Sequence, residues 1–327
     1  MGGLGIRRVV SLALPAFLAS AASTRALQCT MLGDACPDID PTVEWMEQRW
    51  NIESQTVRPG DEVAHKQSSW DGPLIQKEID SLIGAQLDPF HQARLRAVSA
   101  PHAGDWLFAL PVTTCGLRLD DEAVRIAVGL RLGTSICEPH SCPCGALVTA
   151  DGSHGLSCGL GPGRIARHAA LNDLISRSLT RAGFPNIKEP PGLSRTDGRR
   201  PDGLTLIPWS RGRSVIWDVT VIDTVAPSYL QATSASAGAA AQLADNRKTA
   251  KYSQLTATHH FVPLAIETMG PVNDKGMDFI KDLGRLLAQV TGDNKETFYL
   301  FQRLSVCMQR FNAVAFRGTF EIADFEE

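Results

Sequence analysis

The segment GRRPDGLTLIPWSRGRSVIWDVTVIDT, residues 198–224, places two acids in β-prone surroundings. Asp202 opens the run Gly203-Leu204-Thr205-Leu206-Ile207. Asp218 lies inside Ser214 to Ile222, between Val215-Ile216-Trp217 and Val219-Thr220-Val221-Ile222. A carboxylate inside an apolar strand needs a partner, because an unpaired buried charge is costly. A divalent cation is such a partner, since hard cations take carboxylate oxygens. Glu189, a short Pro-Gly loop upstream, could add a third oxygen. Further on, Lys248 and Lys251 are spaced i,i+3 on one predicted helix face, and Tyr252 follows. Carboxylates to hold Mg2+, with a Lys to orient or deprotonate a water and neutralise a phosphate, make a phosphodiester hydrolysis site. A plainer reading makes Asp202 a turn residue after Pro201 and Asp218 a buried hydrogen-bonded acid. It leaves Lys248, Lys251 and the basic residues around the acids unexplained.

A second set of residues has metal-ligand spacing. Cys142, Cys144, His154 and Cys158 form C-x-C-x9-H-x3-C within 17 residues that have no apolar core of their own. Structural zinc is tetrahedral with Cys and His ligands, typically one close pair from a tight turn and a second pair further on. Cys137 and His140 are substitutes for one ligand, and scattered thiols or a disulfide are the competing readings. A zinc clip would order this loop against the helix that begins at Arg164. The other histidines, His65, His91, His102, His259 and His260, read as structural or solvated.

The elements that must position these groups follow from turn signals and periodicity. Two β-prone arms around Pro208-Trp209-Ser210-Arg211-Gly212-Arg213 predict a hairpin. Apolar residues at helical spacing predict helices over Pro41–Trp50, Leu74–Leu87, His91–Arg96, Asp120–Leu132 and Arg164–Ala182. The same spacing predicts helices over Ala235–Leu255, Asp274–Val290 and Glu296–Phe316, and Phe261–Glu267 reads as a buried strand. From Arg164 the order is helix, hairpin, helix, strand, helix, helix, an α/β arrangement. Four segments result: a mostly helical region 1–116, a linker helix with the Cys/His element 117–163, an α/β core 164–293, and a C-terminal helix and tail 294–327.

Composition sets the outer bounds. The chain has 327 residues, 43% hydrophobic and 20% charged, with net charge −3, which excludes a polycation and allows a true core. Residues 163–216 nevertheless hold ten Arg and Lys against four acids. A basic rim around an acidic pocket suits a phosphate-backbone ligand; the competing reading is a solvated basic face. Arg164, Arg167, Arg199, Arg200, Arg211 and Arg213 are the candidate nucleic-acid contacts. Near the N-terminus, Arg7-Arg8, the apolar run Val9 to Ala22 and Ser23-Thr24-Arg25-Ala26 resemble a secretory signal. Pro15 interrupts the run, which as an apolar stretch is too short to span a bilayer, and the Cys spacing favours metal over disulfides. The signal is therefore set aside as a false positive.

Arg200-Pro201-Asp202-Gly203, Asp218-Val219-Thr220 and Lys248-x-x-Lys251-Tyr252 together resemble the restriction-enzyme-like endonuclease of certain non-LTR (LINE-type) retrotransposons. That domain belongs to the PD-(D/E)xK nuclease superfamily. A CCHC zinc element just upstream and an Arg-His pair, here Arg167-His168, recur in that subgroup. The resemblance covers roughly residues 117–316. It implies an α/β core of PD-(D/E)xK type, with Asp202 and Asp218 on Mg2+ and structural Zn2+ on the four Cys/His residues. It also implies that the usual lysine has moved from the strand, where Thr220 stands, to Lys248 or Lys251 on the helix. The implied activity is nicking of double-stranded DNA. Element RNA is a second candidate partner, no membrane is involved, and the location is nuclear. Residues 3–15 resemble the segment that follows the polymerase core of reverse transcriptases, and no Tyr-x-Asp-Asp motif occurs. The chain is thus expected to be the C-terminal third of a retroelement polyprotein, in a truncated or decaying copy. Two alternatives stand beside the nuclease: an inactive, zinc-stabilised nucleic-acid-binding remnant, and a secreted disulfide protein.

Overall fold

The computed structural model describes residues 3–37, 40–193 and 200–320. By packing, the chain divides into two units, residues 3–86 and residues 87–327. The boundary falls at Gln86, inside the span 1–116 expected as one helical region. Residues 87–116 instead belong to the larger unit, where Ala93, Ala97 and Val98 share a core with Ala123, Ile126 and Leu130.

In the smaller unit, α1 (Val9–Leu32), α2 (Pro41–Ser54), α3 (Asp61–Ala64) and α4 (Gln67–Gly84) surround a core of Leu18, Trp50, Ala64 and Trp70. Asp40 caps α2 by accepting the Thr42 N–H at 2.8 Å, with Pro41 at the first helical position. Trp50 and Trp70 meet edge to face at 5.1 Å. Each indole finds a carbonyl, Trp70 O at 2.9 Å and Ala64 O at 2.7 Å, so both rings are buried without a lost hydrogen bond. The apolar run continues helically to Leu32, so its length does not exclude a membrane span as the sequence suggested. Among the described residues α1 is the one helix long and apolar enough to cross a membrane, judged by length and composition alone. Cys29 and Cys36 form a disulfide at its end, a pairing that the Cys spacing did not suggest.

The larger unit begins with α5 (Pro89–Ser99) and α6 (Asp121–Leu132), each capped by an Asp, Asp88 and Asp120. A two-stranded ribbon, β1 (His140–Ser141) and β2 (Leu147–Val148), and the single turn α7 (His154–Ser157) carry the Cys/His segment. Then follow α8 (Pro162–Arg181), β3 (Asn186–Lys188), β4 (Gly203–Thr205), β5 (Val215–Ile222), α9 (Pro227–Ala235), α10 (Ala239–Lys251), β6 (His260–Glu267), α11 (Asp274–Thr291) and α12 (Glu296–Arg317). The helix read over Ala235–Leu255 is α10, which starts only at Ala239, where Gly238 at φ 78° separates it from α9.

The sheet order is β3-β4-β5-β6, with the first two pairings antiparallel and the last parallel. The short edge strand β3, three residues of half-exposed chain, carried no periodic signal. β5 and β6 read as nearly continuous apolar runs because helices cover both faces. Leu171, Ile175 and Leu179 of α8, Phe279, Ile280, Leu283 and Leu287 of α11, and Leu300 and Met308 of α12 pack on one face against Val215, Trp217 and Val219. Ala240, Ala241 and Ala244 of α10 pack with Ile222 and Ala265. The architecture is mixed helix and sheet, and α12 is a wall of the core rather than an appended tail.

Candidate active site and metal centre

The hairpin register brings the two acids together. Gly203 pairs with Trp217, so Asp202 and Asp218, one step further on each strand, fall at the same end. A Cβ on Gly203 would lie 1.9 Å from the Trp217 ring, so only glycine lets the indole cross β4. Trp217 Nε1 donates to Asn172 Oδ1 at 2.8 Å, which fixes α8 over the hairpin. Asp202 Oδ2 accepts the Val219 N–H at 2.6 Å and meets His168 Nε2 at 3.0 Å. Both contacts use one carboxylate oxygen. The hydrogen bond to Asp202 and its charge raise His168 above the ordinary histidine value, against the effect of burial.

Asp218 is 4% exposed. Lys248 Nζ donates to its Oδ1 at 2.6 Å. The Tyr252 hydroxyl, buried, reaches the same carboxylate and lies 3.3 Å from the Arg200 carbonyl. Burial raises the Asp218 carboxyl above the usual range, Lys248 opposes the rise, and the charge of Asp202 adds to it. The two carboxylates repel each other; Lys248 faces Asp218 and His168 faces Asp202. The Thr220 hydroxyl, two residues along β5, is buried with no hydrogen-bond partner among the described residues.

The face of α10 explains the choice of lysine. Asp245 is fully buried and accepts from Thr249 Oγ1 (2.8 Å), Lys275 Nζ (2.9 Å) and Asn273 Nδ2 (3.0 Å). That fixes the helix rotation. Lys248 and Tyr252 follow Asp245 at i+3 and i+7, on the same face. The ion pair to Asp218 therefore falls to Lys248, while Lys251 is half-buried one residue before Tyr252. Glu189 is brought to the region by its backbone, whose N–H donates to Asp202 O at 3.1 Å. Its side chain is exposed.

The basic rim needs one correction. Arg167 is 1% exposed. Its guanidinium donates to Asn312 Oδ1 at 2.8 Å and to Leu156 O at 2.9 Å, tying α7 and α8 to α12. Burial lowers it to about 10, and it cannot meet a phosphate from inside the core. Arg164, Arg200 and Arg211 are exposed, and Arg213 is half-buried with Nη1 donating to Thr256 O at 3.4 Å. Arg199 lies outside the described residues.

The Cys/His segment converges. The ligand atoms of Cys142, Cys144, His154 and Cys158 all lie within 4.8 Å of one another. The Cys142–Gly145 turn closes with Gly145 N–H on Cys142 O at 2.8 Å, which presents the first two sulfurs side by side. The start of α7 and the residue that caps its end supply the other pair, His154 and Cys158, one turn apart. Cys142 Sγ is 3.7 Å from Cys158 Sγ, and Cys144 Sγ is 3.2 Å from His154 Nε2. This Cys3His cluster could hold a metal such as zinc: soft sulfur and imidazole donors in four-fold array are the donor set zinc prefers. The two substitutes are not among the four converging ligands, although Cys137 packs beside them. His140 Nε2 meets Thr319 Oγ1 at 2.9 Å and its ring stacks on Phe320, while Cys137 Sγ turns to the Thr149 and Ala150 carbonyls.

Sequence reasoning did not assign roles to His168 as a partner of Asp202, to Asn172, or to Asp245. Their signal lay in helix-face spacing relative to residues already singled out. No protein-family model matches this chain, and no curated protein matches it either.

Proposed function

We propose that this chain is a Mg2+-dependent DNA endonuclease that nicks a double-stranded target in the nucleus, with a core of PD-(D/E)xK type and a structural zinc on the Cys3His cluster, as a fragment of a LINE-type retroelement polyprotein. The observation that carries the reading is the meeting of Asp202, Asp218 and Lys248 at one end of the hairpin, with His168 and Tyr252 beside them. The order α8, β3–β4–β5, α9–α10, β6, α11 supports it, being the expected helix, hairpin, helix, strand, helix order with an edge strand and a short helix added. Asp202 and Asp218 would hold Mg2+, which when bound would polarise the scissile phosphate. Lys248, held by Asp218, supplies positive charge toward a phosphate and can orient a water. Asp202 shifts His168 toward its protonated form, and the imidazole can hold or pass a proton. Val219 N–H and His168 hold the Asp202 carboxylate, and Lys248 holds that of Asp218.

The test is nicking of supercoiled plasmid by the full chain, with Mg2+ and in magnesium-free buffer; a chelator would also strip zinc. Asp202→Asn and Asp218→Asn are expected to lower nicking about 10²-fold or more with the circular dichroism spectrum retained. DNA binding with nicking absent from the wild type, or unchanged in both variants, overturns the nuclease reading. The second reading, an inactive zinc-stabilised nucleic-acid-binding remnant, is favoured by one observation: Thr220 occupies the strand position at which most of the PD-(D/E)xK superfamily has a lysine.

A further inference from the structure

A cavity of about 580 Å³ opens between α8, α12 and the turn Thr113–Gly116. It shares no lining residue with the Asp202–Asp218 cluster. Four arginines line it, Arg177 and Arg181 from α8 and Arg303 and Arg310 from α12. Their partners hold them in place without neutralising them. Arg181 Nη2 and Arg303 Nη2 share the buried Glu296 at 2.6 and 3.2 Å, Arg177 Nε pairs with Asp173 at 2.8 Å, and Arg310 Nη2 donates to the Gly116 and Arg118 carbonyls. Four guanidiniums thus face two carboxylates, and the cavity carries net positive charge. Arg303 Nε is buried with no partner among the described residues. Arg310 and Arg177 both act on the buried Cys307 thiol in the cavity wall, in the direction that opposes the rise caused by burial. Beside the charges stand hydroxyls of Thr113, Thr114 and Ser178 and the apolar Leu174 and Phe311.

From this lining we infer that the cavity binds a phosphate-bearing ligand of nucleotide size. Guanidinium forks read phosphate oxygens in pairs, and several held in fixed orientation give up little freedom on binding. The volume lies within the range of small-ligand sites, and the half-buried Phe311 offers an apolar surface for a base. The same chemistry is presented by a free nucleotide and by the 5′-phosphorylated end of a nucleic-acid strand. The inference stands whether or not the Asp202–Asp218 cluster is a nuclease site.

Cys115 is exposed on the cavity rim and serves as the reporter. The full, zinc-loaded chain is treated with N-ethylmaleimide, and modification of the Cys115 peptide is followed by mass spectrometry. ADP and a 5′-phosphorylated single-stranded 12-mer are the two probes. At saturation, one or both are expected to slow Cys115 modification about 10-fold. Protection by ADP alone assigns a free nucleotide; protection by the oligonucleotide alone assigns a strand end. Arg177→Glu, at an exposed position, and Thr114→Trp, which fills the mouth, should each weaken binding of the protecting probe at least 10-fold. Asp202→Asn should leave protection intact, which separates this site from the hydrolytic one. Absence of protection by both probes, or protection of unchanged affinity in both cavity variants, overturns the inference.

Discussion

Lys248, not Lys251, makes the ion pair with Asp218, at 2.6 Å. Both lysines satisfy the i,i+3 spacing, so the sequence left them equivalent. If the endonuclease reading holds, Lys248→Ala should lower nicking about 10²-fold, whereas Lys251→Ala should lower it several-fold at most; plasmid nicking on both variants checks this. A second residue-scale prediction concerns Glu267, fully buried at the end of β6. Its Oε1 accepts the Ala240 and Ala241 N–H groups at 3.0 and 3.2 Å, and its Oε2 has no partner among the described residues. Burial raises its carboxyl above the ordinary value of 4.5. An acid whose folded pKa is raised favours the protonated form in the folded state. Its contribution to stability is therefore present below about pH 4.5 and lost as pH rises through the folded value. Glu267→Gln keeps the acceptor and removes the charge, so its melting temperature should exceed the wild type by a few degrees at pH 8 and match it near pH 4. Thermal denaturation of both proteins at the two pH values checks the sign.

At the scale of elements, the β4–β5 hairpin depends on the contact of Gly203 with the Trp217 ring. Gly203→Ala forces the indole or the strand to move. Such overpacking typically costs about 1–3 kcal/mol, measurable by urea denaturation. In a Trp217→Phe background the smaller ring should recover part of that loss, a coupling that a double-mutant cycle reads directly. Strand, glycine and turn residues made the hairpin legible in the sequence, but not the indole lying across it. The Cys/His segment is the second case. Its apolar residues are few, so its order rests on the cluster and on Arg167, which holds Leu156 O. Cys142→Ser or Cys158→Ser should abolish stoichiometric zinc by metal analysis and open residues 137–158 to protease.

For the whole molecule, the two units have separate cores, and each is drawn from its own residues. Limited proteolysis should therefore cut first near residues 84–88, where Leu87 is 94% exposed. Truncation of Trp50 in the small core should cost about 3–5 kcal/mol and lower the unfolding temperature of the smaller unit. Cleavage confined to other segments, detected by mass spectrometry, would contradict the division at Gln86.

The sequence by itself determined the hairpin, the long amphipathic helices and the convergent spacing of Cys142, Cys144, His154 and Cys158, because these depend on residues near one another in the chain. It also marked Asp202 and Asp218 as acids in need of a partner. Only the tertiary structure decided which partners they have. Lys248 reaches Asp218 across 30 residues because Asp245 fixes α10, and His168 reaches Asp202 across 34 because Trp217 and Asn172 fix α8. Arg167 had the charge of a nucleic-acid contact and the place of a core pin, a distinction set by burial alone. The edge strand β3 and the arginine-lined cavity were invisible for two different reasons: three residues carry no period, and the four guanidiniums come together only when α8 packs on α12.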